Sequence, residues 1–148
     1  MANQLTLDVP GDTLPVVSVW EQHSVEAAVL AALGSVHINN PAGHHFGAPF
    51  MTAYQLAIKV DAAQPQIAQA MGVTVGGAGT GSSTSLAQYL ARELSRRIKA
   101  DPDNYPVEGA FVTNEHVTAV QYRDAAGNAI TSSLTGTGFD LSLFRTRT

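Results

Sequence analysis

Ser85-Leu86-Ala87-Gln88-Tyr89-Leu90-Ala91-Arg92-Glu93-Leu94-Ser95-Arg96-Arg97-Ile98-Lys99 is the stretch whose reading decides the architecture. Leu86, Leu90, Leu94 and Ile98 recur every fourth residue, which places them on one face of an α-helix. Ser85 stands where an N-cap hydroxyl accepts the N–H of Gln88. Asp101-Pro102 ends the helix, because the residue before a proline is pushed out of the α region.

After this helix the pattern changes to β. Candidate strands lie at 109–113, 117–123, 129–134 and 139–145, and Asp124-Ala125-Ala126-Gly127-Asn128 supplies hairpin turn chemistry. On the last strand Phe139, Leu141 and Leu143 share one face, opposite Asp140, Ser142 and Phe144. Phe144 is therefore expected to cover a second helix layer or a partner subunit. The few charges on this strand make it a candidate for edge pairing between copies.

Before the leucine helix, the spacing predicts further helices. Thr52 and Gln55 form a capping box ahead of Leu56, Val60 and Ala63, and Pro65 opens a short helix that Gly72 closes. Ser18 or Ser24 caps another helix, with Val25, Val29, Ala32 and Leu33 inward and Gly34 at its C-terminal end. Residues 1–17, with Pro10, Gly11 and Pro15, read as an extended arm. The expectation is one α+β domain over 1–148: an arm at 1–17, a mainly helical part at 18–99 and a mainly β part at 107–145. Three to four helices would pack on a C-terminal antiparallel meander.

Composition narrows the function classes. Charged residues make up 14% of the chain, below the usual ~25%, so self-association is expected. The net charge of −4 argues against indiscriminate coating of nucleic acid. There are no cysteines, which removes disulfides and thiolate metal sites. No apolar run approaches a membrane span and no basic-then-apolar leader opens the chain, which leaves cytoplasm as the default location.

Positive charge is concentrated. Arg92, Arg96, Arg97 and Lys99 are four of the eight basic residues, and Gln88, Arg92, Ser95, Arg96 and Lys99 fall opposite the leucine stripe. A helix followed by a hairpin fits a winged helix-turn-helix plan, with residues 52–63 supporting, 85–99 in the groove and 124–128 at the wing tip. Arg92, Arg96, Lys99 and Arg123 would then contact phosphates, and Gln88 would reach base edges. The plainer reading is that cations near a helix C-terminus complement its dipole. About twenty residues between the two helices also exceed a tight turn.

A second candidate is the glycine-rich run. Gly76, Gly77, Gly79, Gly81, Ser82 and Ser83 lead into a helix start, the setting of many phosphate sites. Ser82 occupies the lysine position of a P-loop, so a nucleotide hydrolase is disfavoured. His37, His44 and His45 lack a neighbouring carboxylate, and no G-x-S-x-G elbow is present. The expectation is a non-enzymatic protein, with no cofactor and no metal, that binds nucleic acid or another polyanion. The alternatives are a self-assembling structural protein and a phosphate or nucleotide site at the loop.

Overall fold

The computed structural model describes residues 18–39, 41–76, 85–132 and 140–147. The arm at 1–17, the loop residues Gly77, Gly79, Gly81, Ser82 and Ser83, and Phe139 lie outside the described residues.

Local capping chemistry sets the helices. Each candidate serine stands at a helix start, though only Ser18 caps through its side chain, and the helix divides in two. Ser18 Oγ accepts from the Glu21 N–H at 3.3 Å to start α1 (Val19–Gln22). Ser24 takes the left-handed region at φ 52 and breaks the run before α2 (Val25–Gly34). α2 buries Val25, Val29, Ala32 and Leu33, the face its spacing predicted. Gly34 is its last helical residue rather than its cap, and the Ser35 hydroxyl donates to Ala32 O at 2.8 Å.

A 3-10 turn at Pro41–Phe46 leads to β1 (Met51–Thr52). α3 (Ala53–Ala63) begins with a complete capping box. Gln55 N donates to Thr52 Oγ1 at 3.1 Å, and Thr52 N donates to Gln55 Oε1 at 2.8 Å. α4 (Gln66–Met71) follows Pro65 and stops at Gly72, whose φ of 70 suits a residue without Cβ. In α5 (Leu86–Ala100), Leu86, Leu90 and Leu94 are fully buried, as the stripe requires.

The strands are antiparallel, but they divide into two sheets instead of one meander. β2 (Val107–Val112) and β5 (Leu141–Thr146) form a sheet with β1, in the order β1-β5-β2. β3 (Gln121–Arg123) and β4 (Ala129–Thr131) make a separate hairpin. Its turn is the one the sequence indicated: Asp124 Oδ1 accepts from Asn128 N at 2.8 Å and Ala126 N at 3.0 Å, and Gly127 takes φ 91. Tyr122 stacks on Tyr54 at 5.4 Å between ring centroids, which fastens the hairpin to the start of α3. Residues 117–120 carry no strand, so the ladder that would join β2 to β3 does not form.

The core lies between the sheet and α2, α3 and α5. α3 packs against both other helices, α2 and α3 reach β5, and α5 reaches β2. Phe144 is 2% exposed and belongs to this core. It covers the helix layer, one of the two positions its strand face allowed. Ile98 and Phe144 both come within 3.6 Å of where a Gly109 Cβ would stand. β5 is the middle strand, so among the described residues the edges of this sheet are the two-residue β1 and the longer β2, not the C-terminal strand.

Candidate functional site

The outward face of α5 is less free than its sequence suggests. Arg92, Arg96 and Lys99 are exposed and Gln88 is half-buried. Glu93, however, holds two of the four cations. Arg96 Nη2 meets its Oε1 at 2.6 Å, and Arg97 Nη1 bonds the same oxygen. Burial alone would raise the Glu93 pKa; hydrogen bonds from Arg97 and Arg96 outweigh it and hold the carboxyl below its ordinary value. The Arg97 guanidinium also lies 4.0 Å from the centroid of the Trp20 ring, so it helps fix α1 on α5. Arg92 sits 5.9 Å from the Tyr89 ring centroid, and Lys99 has no ion pair among the described residues. Arg123 is exposed on β3. Gln88 lines a hollow with Tyr54 and Arg92, and its Oε1 is buried with no hydrogen-bond partner among the described residues.

The start of α5 bears on the loop reading. Its first N–H groups are already engaged: Leu86 N donates to Thr74 O and Ala87 N to Val75 O, each at 2.9 Å, and Gln88 N to Ser85 Oγ at 3.1 Å. Thr74 and Val75 thus cap α5 through their carbonyls, and these donors are not free for a phosphate. Gly76, at φ 129, packs directly beneath the cap: a Cβ there would lie 2.8 Å from Ser85 Oγ. Gly76→Ala is expected to cost about 2 kcal/mol through backbone strain and loss of the serine cap. Urea denaturation checks this, with the midpoint moving and the slope unchanged.

Three tyrosines are pushed upward. Tyr105 rises from 10.0 to about 12, first through burial and then through the charge of Glu26. Tyr89 and Tyr122 are also raised, in both cases mainly by burial. A raised folded-state pKa favours the neutral phenol, so its stabilisation is whole below about pH 10 and is lost as pH rises towards about 12. Melting temperature should therefore fall across that alkaline window, in step with phenolate absorbance.

The edge of β2 offers a surface that sequence reasoning did not select. Arg147 N donates to Pro106 O at 2.8 Å, which fixes the parity of the β2–β5 ladder. Glu108, Ala110 and Val112 turn their backbone groups towards β5, while Val107, Gly109 and Phe111 turn theirs to the open edge. Phe111 is 70% exposed and Val112 41%. The strand's carboxylate, Glu108, is compensated by Arg145 Nε at 2.6 Å and Arg147 Nη1 at 3.7 Å. The edge thus carries neither an unpaired charge nor a proline between Val107 and Val112, the features that normally guard such strands.

No family model, curated protein or solved structure matches the chain. Gly109, Phe111 and Val112 were legible only as members of a strand. An uncharged run from Gly109 to Val112 signals a poorly guarded strand, but sequence does not say which strand lies at the edge. Among the described residues no group of three histidine or acidic side chains could hold a metal ion.

Proposed function

We propose that this chain is a non-enzymatic assembly protein that joins copies of itself through the open edge of β2. The observation that carries this reading is Phe111, a large aromatic side chain 70% exposed on an edge strand without guards. The low charged fraction of 14% supports it, since little repulsion keeps copies apart. Antiparallel pairing of a strand with its own copy is isologous and closes as a dimer. One strand edge is a small interface, so the dissociation constant should lie in the micromolar range. Light scattering across a concentration series tests this: the mass should rise from monomer to dimer. A strict monomer at millimolar protein rules it out.

The exposed Arg92, Arg96 and Lys99 on one face of α5 favour a second reading, binding to nucleic acid or another polyanion. Glu93 already offsets part of that charge, which is why it ranks second. Binding to random-sequence duplex and single-stranded DNA that weakens steeply with salt would support it. No binding at low salt would dismiss it.

A further inference from the structure

We infer that the second copy docks in a single register, with the two-fold axis at Ala110 and the Phe111 ring of each copy seated over Gly109 of the other. The inference rests on the assembly reading and adds the geometry of its interface.

The seat is already present. Gly109, Phe111, Ser142 and Phe144 lie on the sheet face turned to α5, and with Ser95, Ile98 and Lys99 they border a hollow of about 290 Å³. Its floor is open because residue 109 has no side chain. A Cβ there would meet Leu143 O at 3.4 Å, Ile98 Cδ1 at 3.5 Å and Phe144 Cε1 at 3.6 Å. Apolar surface from Ile98 and Phe144 thus lies beside an exposed backbone edge. The knob that fits this hole stands two residues along the same strand, on the same face: Phe111.

Self-pairing of β2 through its outward groups allows three central registers. With the axis at Gly109, the two holes face each other and stay empty, and each Phe111 opposes Val107. With the axis at Phe111, the two rings compete for one space and each Gly109 opposes Thr113. With the axis at Ala110, Phe111 of each copy opposes Gly109 of the other, so both holes are filled by both knobs. Aromatic side chains are known to offset the weakness of a glycine across a strand pair. Gly109 and Phe111 are outward-facing residues, so each such pair also exchanges two backbone hydrogen bonds. The Lys99 stem can cover the ring while its ammonium stays in water. Val112 opposes Glu108, whose charge Arg145 and Arg147 already offset, so no like charges meet.

The chain has no cysteine, which makes the register directly readable. In this arrangement the two Ala110 residues form a pair without backbone bonds, with Cα atoms about 4.5 Å apart, inside the disulfide range of about 4.4–6.8 Å. Ala110 is exposed, so Ala110→Cys leaves the fold intact, which the melting temperature of the reduced variant verifies. Oxidised Ala110→Cys should become a covalent dimer nearly quantitatively, while Gly109→Cys and Phe111→Cys, each tested alone, should lag well behind. Gly109→Ala should keep monomer stability yet raise the dimer dissociation constant about tenfold, because its methyl group occupies the seat. If native protein dimerises but Phe111→Cys or Gly109→Cys crosslinks faster than Ala110→Cys, the register is wrong and the assembly reading stands. If native protein remains monomeric at millimolar concentration, both fail.

Discussion

Replacing Phe111 by lysine is expected to weaken self-association at least about 30-fold, the cost of losing a buried aromatic anchor worth about 2 kcal/mol or more. The folded monomer should hardly notice. Phe111 is 70% exposed and makes no part of the core, so its stability change should stay within about 0.5 kcal/mol. Lysine also adds the charge that natural edge strands use against pairing. Sedimentation equilibrium reads the first effect and urea denaturation the second. A dimer of undiminished affinity would show that Phe111 is not the anchor. A large stability loss would show that the Phe111 ring packs in the core.

The opposite outcome is expected at Phe144, three residues into β5. Phe144→Ala should cost about 3–5 kcal/mol, the usual range for deleting a buried phenylalanine ring. The residue is 2% exposed, pairs with Met51 of β1 and Gly109 of β2, and so stands at the junction of all three strands and the helix layer. Against a typical total of about 5–15 kcal/mol, this leaves a marginal fold. The measurement is the denaturation midpoint at constant slope. A loss below about 1 kcal/mol would contradict the placement of Phe144 in the core. The pair Phe111 and Phe144 thus separates association from folding on neighbouring strands.

The helices were legible because their signals are local. The leucine spacing, the Ser85 cap and the Thr52–Gln55 box each lie within one or two turns, and each appears where sequence placed it. The 124–128 turn was readable for the same reason, since Asp124 closes it through its own carboxylate. Strand partnership was not. β2 and β5 are separated by the hairpin, and no residue of either names its partner, so a sequential meander was the natural expectation. Phe144 shows the consequence: alternation set its face, but only the packing of the sheet shows that this residue meets the helix layer. The basic residues of α5 could be counted in sequence, yet the engagement of Arg97 with Trp20 depends on the fold of α1. Glu93 lies three and four residues before its arginines, and that pairing was accessible from spacing alone.

Amide hydrogen exchange at Gly109 and Phe111, followed at dilute and at near-millimolar protein, tests the open edge of β2 most directly. Both N–H groups point away from β5, so they should exchange freely in the monomer and become protected as concentration rises. Ala110 N–H, which faces β5, should remain protected throughout. Exchange at Gly109 and Phe111 that stays fast and independent of concentration would contradict assembly through this edge.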